Sequence, residues 1–299
     1  MRTHSPWKKL LARGGAVRVS LIVLVIVTLA AVFGPALMPE SAREVSAAQF
    51  APPSWAHPFG TDLHGQDLLF RVLSGARVSL TVGIAGALIA FFIGTAYGLV
   101  SGYAGGRTDG VMMRIVEILY AVPRLIILLI AVNAFDSRIK TGLAEFGAPA
   151  LVAYSRIVIL ILSLGLIEWL TMARIVRGQV LALKAQTFVL AARSLGQSHW
   201  KILTRHLLPN LVGVVIVYLT LTVPAVILDE SFLSFLGLGI QAPQASWGSL
   251  LADGAQALNP IKSYWWLLVF PAATMSATLL ALNFLGDALR DVLDPRGER

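Results

Sequence analysis

The 299-residue chain contains no cysteine, which excludes disulfides, thiolate metal sites and cysteine nucleophiles. Charge is scarce too, at 13% of residues against 57% hydrophobic, with a mean hydropathy of +0.76. Soluble domains rarely look like this, and several apolar runs exceed the about 18 residues that mark a membrane helix. There is no Gly-x4-Gly-Lys-Ser/Thr loop, so the chain cannot hold ATP by that device. His-Glu-x-x-His is absent, and none of the five histidines falls in an expected span. No catalytic residue, bound cofactor or metal site is therefore expected. Energy for transport has to come from a partner or from an ion gradient.

The charges that are present carry a pattern. The net charge of +8 would suit nucleic acid in a soluble protein, but here position decides. Arg2, Lys8, Lys9, Arg13 and Arg18 precede the first apolar run; Arg174, Arg177, Lys184, Arg193, Lys201 and Arg205 cluster in one island; Arg290, Arg296 and Arg299 close the chain. The positive-inside rule then puts both termini and the island in the cytoplasm, with an even number of crossings and no nucleic-acid partner. The expected class is an all-α integral membrane protein of six transmembrane helices. A cleaved signal peptide would leave five crossings and contradict the charges.

Taken in order, 1–16 is a cytoplasmic tail and 17–37 the first span. Residues 38–76 form an external segment, in which Leu68, Leu69, Val72, Leu73 and Ala76 give an amphipathic helix suited to the membrane interface. His57, Asp62, His64 and Asp67 have metal-ligating chemistry. Without a helical i, i+4 histidine pair they read better as turns and caps, with Thr61 and Asp62 supporting backbone. The core, 77–287, holds spans at 78–103, 111–135, 151–173, 211–228 and 264–285, an external loop at 229–263, and a cytoplasmic tail at 288–299. In the second span Gly86, Ala90, Gly94, Gly98 and Gly102 recur every four residues, a stripe that lets another helix approach closely. Pro123 should kink the third span, and Arg114 can pair with Glu117 one turn on. A polar outer loop is expected at 136–148.

The island at 188–210, FVLAARSLGQSHWKILTRHLLPN, is helix-compatible and bent. Phe188, Ala191, Ala192 and Leu195 share one helical face, and Gly196 supplies the left-handed cap that stops the helix. Ser198 is an N-cap for a second short helix presenting Trp200, Leu203 and Leu207, with Lys201 and Arg205 on another face; Pro209 limits how far it runs. Such a convex knob offers small residues for close approach and Arg193, His199, Trp200 and Lys201 as anchors.

This stretch resembles the EAA loop of ABC-importer permeases, the cytoplasmic element that docks into the ATPase, although the family's usual glutamate is Leu190 here. HPFGTDLHGQD, SFLGLG with the following SWG, and LGDALRDVLDPR resemble the dipeptide, oligopeptide and nickel branch of that family, so the likeness covers roughly residues 55–296. It implies the type I (MetI-like) permease fold in a bacterial inner membrane. It also implies a second homologous permease, two ATPase subunits that bind ATP and Mg, and an external solute-binding protein. Docking then falls to Ala191, Ala192, Arg193, Gly196, His199, Trp200 and Lys201. The other class in view, a self-sufficient ion-coupled secondary transporter, would show inverted repeats around a midplane site, and no repeat is visible.

Ionisable residues at membrane depth are functional suspects because burial is costly. Asp229 and Glu230, near the outer interface, either line the mouth of the pathway or cap and pair locally. Arg124 and Glu168 stand where the resemblance implies small residues. Counting ~1.5 Å per residue from Arg114 and Arg174 puts their depths within ~6 Å, so they are expected to pair, the alternative being that each faces the cavity alone.

Overall fold

The structure, a computed structural model, describes residues 15–145, 154–258 and 261–293. Arg2, Lys8, Lys9, Arg13, Arg296 and Arg299 lie outside the described residues, as do 151–153 at the expected start of the fourth span. Among the described residues the chain is helical, joined by turns, with one isolated bridge between Thr61 and Asp67. α1 spans Gly15–Leu37. α2, Leu68–Ala104, is capped by Asp67, whose carboxylate accepts from the backbone N–H groups of Leu69 and Phe70. The amphipathic turn at 68–76 is thus continuous with the second span, because nothing between Leu73 and Val78 breaks a helix. Leu68 and Val72 pack on Leu250, Trp266 and Leu267 instead of lying in an interface.

α3, Gly106–Ala121, and α4, Arg124–Glu145, meet at Pro123 with a bend of 85° between Gly106–Ala121 and Arg124–Gly142, far more than a kink. α4 also runs through most of the expected outer loop. Its polar end stays helical because side chains serve the helix: Lys140 Nζ lies 2.7 Å from Asp136, and Thr141 donates to the Ser137 carbonyl. α5, Ser155–Leu183, extends a span expected to end at 173, since Val176 and Val180 remain buried one turn apart. α6 is Thr187–Ser194.

α7 runs unbroken from His199 to Phe235, straight through Pro209. A π-helical turn over Ile202–Leu207 precedes the proline, and the Leu208 N–H donates to the Leu203 carbonyl five residues back. The wider turn moves aside the carbonyl that the pyrrolidine ring would strike, and Asn210 Nδ2 donates to the His206 carbonyl. The expected outer loop contains the end of α7 and a further helix, α8, Trp247–Gln256, with a Ser246–Ser249 capping box. α9 is Trp266–Leu293.

Among the described residues five helices are long and apolar enough to cross a membrane, and six if the bent α3–α4 pair is one span. The stripe on α2 decides the count. A Cβ on Gly94 would meet the Trp169 carbonyl at 2.7 Å, and one on Gly102 the Arg177 carbonyl at 2.9 Å, while Gly86 lies against Ile161 and Gly165. Position rises together on both helices, so α2 and α5 run parallel. The chain has to return between them, which makes α3–α4 the returning span. All five stripe residues, Ala90 included, are buried against protein.

Candidate docking surface and pathway residues

The knob is set by its own backbone. Gly196 takes φ +71°, and the N–H groups of Gly196 and Gln197 donate to the carbonyls of Arg193 and Ala192, closing a Schellman cap on α6. Ser198 Oγ then accepts from the Lys201 N–H and starts α7. The face split differs from the simple periodicity. Val189, Ala192, Ile202 and Leu207 are buried with Met172, Val176 and Val180 of α5 and with Leu211 and Val215 of α7. Phe188, Ala191 and Leu195 face out, and Leu195 is 80% and Trp200 73% exposed. Ala192, expected on the docking face, is instead buried: its small side chain lets α6 lie close against its own chain. Leu190, where the resemblance implies a glutamate, is half exposed.

Arg193 lies over the Tyr103 ring at 5.1 Å, and the Tyr103 hydroxyl is 2.7 Å from His199 Nδ1. With Gln197 and Ile202 they border an open cleft of about 540 Å³ between the end of α2 and the knob. Just behind it, Arg177 donates to both oxygens of Asp109 at 2.6 and 2.7 Å, and Ser101 donates to the same carboxylate at 2.6 Å. Lys184 Nζ donates to the Gly102 carbonyl at 2.8 Å. These contacts tie the α2–α3 turn to the end of α5. The sequence exposes Arg177 as an island charge and Asp109 as a turn residue, but nothing local joins residues 68 apart.

The membrane-depth charges separate into two groups. Glu230 is fully buried and accepts from Ser79 of α2 at 2.8 Å and from Ser234 at 2.7 Å. Ser79 Oγ in turn accepts from the Trp247 N–H of α8, and Ser234 Oγ from the Ile240 N–H. Glu230 thus joins α2, α7 and α8 and braces the SFLGLG turn, with no exposed surface in this chain. Arg124, the first residue of α4, places its guanidinium 2.7 Å from Glu168 of α5 and also against Asp229 of α7. Its partners are buried or half-buried while Arg124 itself is 42% exposed. Arg114 and Glu117 are 3.2 Å apart on the open side of α3.

In the segment before α2 the polar groups serve the loop. His57 Nδ1 is 2.9 Å from Asp67, Asp62 accepts from the His64 and Gln66 N–H groups, and Arg71 donates to Asp62 at 2.6 Å. Arg71 also reaches Asp253 of α8 at 3.6 Å, where burial pushes the Asp253 carboxyl above its usual range and Arg71 pulls it back.

The comparison with known proteins agrees with this architecture. Residues 94–299 match the family described as "Binding-protein-dependent transport system inner membrane component". The dipeptide transport system permease protein DppC of Bacillus subtilis is 43% identical over 298 residues, covering 99% of this chain and 87% of that protein. The oligopeptide transport system permease protein OppC of Haemophilus influenzae is 47% identical over 240 residues, covering 80% and 70%. OppC of Escherichia coli is 45% identical over 280 residues, covering 93% and 86%. With its parallel membrane helices, its returning broken span and an exposed knob at one end, this chain belongs to the binding-protein-dependent transport permeases of the inner membrane, as a multi-pass subunit.

Proposed function

We propose that the chain forms half of the path by which an ATP-driven importer carries peptides inward, and that an ATPase grips it at the knob. One observation carries the coupling: the exposed Ala191, Leu195 and Trp200 are backed by side chains packed into α5 and α7. A bare side chain the size of Leu195 would gain about 1.5–3 kcal/mol on burial, which a docking partner can supply. Force on the knob then moves the two helices that carry Glu168 and Asp229, a rigid-body form of alternating access. The chain itself is non-catalytic, and ATP and Mg are bound by two ATPase subunits. A second, homologous permease completes the path, and an external binding protein delivers the solute. Both termini and the knob are cytoplasmic. The names of the relatives, dipeptide and oligopeptide permeases, favour peptides as the cargo.

The absence of native cysteine gives a direct test. Ala191→Cys or Leu195→Cys, each then unique in this chain, should cross-link to the ATPase in membranes. Ala191→Arg should abolish peptide-dependent ATP hydrolysis in the reconstituted complex. Undiminished coupling in Ala191→Arg, with no cross-link from either cysteine, would overturn the docking assignment.

A further inference from the structure

The open side of α3 and α5 carries a ribbon of polar groups. It begins with Arg114 and Glu117, continues through Tyr120, whose hydroxyl is 2.5 Å from Thr171 Oγ1 and whose ring lies 3.8 Å under the Arg174 guanidinium, and ends at Arg124, Glu168 and Asp229. Arg114 is 76% and Glu117 58% exposed, and every residue from 117 to 126 is exposed in this chain. By contrast, the exposed face of α2 near Leu88 and Phe92 is apolar. An ionised side chain facing lipid at mid-membrane is costly, so the ribbon must meet water or protein. Its members largely satisfy one another, which leaves few groups for a protein partner to pair with.

The ribbon also has a polarity. At the Pro123 break two carboxylates share one guanidinium, leaving one net negative charge. Toward the knob, Arg114 is paired with Glu117 and Arg174 stacks on the Tyr120 ring, so these three charges sum to one net positive. Glu168 and Arg174 are six residues apart on α5, ~9 Å at helical rise. An extended chain spans at most about 3.3–3.6 Å per residue, so two or three residues hold their charged ends about 7–10 Å apart.

We infer that this ribbon is the wall of the solute path, and that its two oppositely charged stations receive the free ammonium and carboxylate ends of a short peptide. The inference rests on the peptide-permease reading and deepens it. The Arg124–Glu168–Asp229 station takes the ammonium, and Arg174, stacked on Tyr120, takes the carboxylate. A peptide capped at both ends loses both attractions, while an extended lipid-facing surface would show neither.

The test uses Thr171→Cys, midway between the stations, in the assembled complex in proteoliposomes. Its rate of modification by hydrophilic cationic and anionic methanethiosulfonates is compared with that of Leu88→Cys on the apolar face. Thr171→Cys should react at least tenfold faster. Adding Glu168→Gln should lower the cationic-to-anionic rate ratio several-fold, and adding Arg174→Gln should raise it. Dialanine at millimolar concentration should slow the reaction, whereas N-acetyl-dialanine amide should not. A cysteine at 171 no more reactive than that at 88, or a ratio indifferent to both neutralisations, overturns the wall. Equal protection by the two peptides, or by neither, overturns the recognition of charged ends. Persistence of peptide-stimulated ATP hydrolysis in the same vesicles would keep the permease reading standing while this inference fell.

Discussion

Gly94→Ala isolates the close approach of α2 to α5. The added Cβ would stand 2.5 Å from Met172 Cβ and 2.7 Å from the Trp169 carbonyl oxygen. Non-bonded carbons prefer about 3.5–4.0 Å, so the helices must part by roughly 1 Å at that point. Overpacking of this kind costs about 1–3 kcal/mol, offset by up to about 1 kcal/mol of helix propensity that alanine gains over glycine. Gly178→Ala is the matched control: it is also inside a helix, and an added Cβ there meets nothing within 4 Å. The measurement is the thermal midpoint of the detergent-solubilised complex, followed by size-exclusion of the fluorescently tagged chain. At about 2–4 °C per kcal/mol, Gly94→Ala should fall by several degrees while Gly178→Ala holds or rises slightly. Combining Gly94→Ala with Gly98→Ala should cost less than the sum, because helices already parted by one methyl admit the next more easily. Equal shifts for Gly94→Ala and Gly178→Ala would refute the argument that contact distance, not glycine chemistry, governs this interface.

Three further outcomes are expected. Glu230→Ala should destabilise the chain by about 3 kcal/mol or more, since it strips a buried acceptor from Ser79 and Ser234; Glu230→Gln, which keeps the volume and one acceptor, should lose less, as read by the same thermal assay. Gly196→Ala meets no steric obstacle but places a Cβ on a residue at φ +71°; a loss of about 1 kcal/mol in local stability should accompany weaker ATPase retention on affinity resin. Arg177→Met should leave Asp109 without its bidentate partner, and hydrogen exchange should quicken first at the α2–α3 turn, with the segment before α2 unchanged.

Local chemistry accounts for much of what was legible beforehand. The spans follow from composition, the bend of the knob from Gly196 and Ser198, and the small-residue stripe from a spacing of four that any helix turns into one face. Arg124 and Glu168 were within reach by helical rise alone, though that count assumed a straight third span. The bend at Pro123 is sharper than a proline dictates by itself, and it places Arg124 where Asp229 joins as a second carboxylate. Periodicity also misassigned Ala192, because an amphipathic helix between two neighbours can bury either flank of its stripe.

The amino-acid order by itself determined which segments are apolar enough to enter a membrane, where a helix stops and the next starts at Gly196 and Ser198, and that the chain bends at Pro123, since these depend on residues within a turn or two. Folding decided which face of the knob is bare, that Glu230 braces a turn, and that Asp109 meets Arg177 across 68 positions. Such pairings depend on how close two distant helices come, and no spacing along one helix encodes that distance.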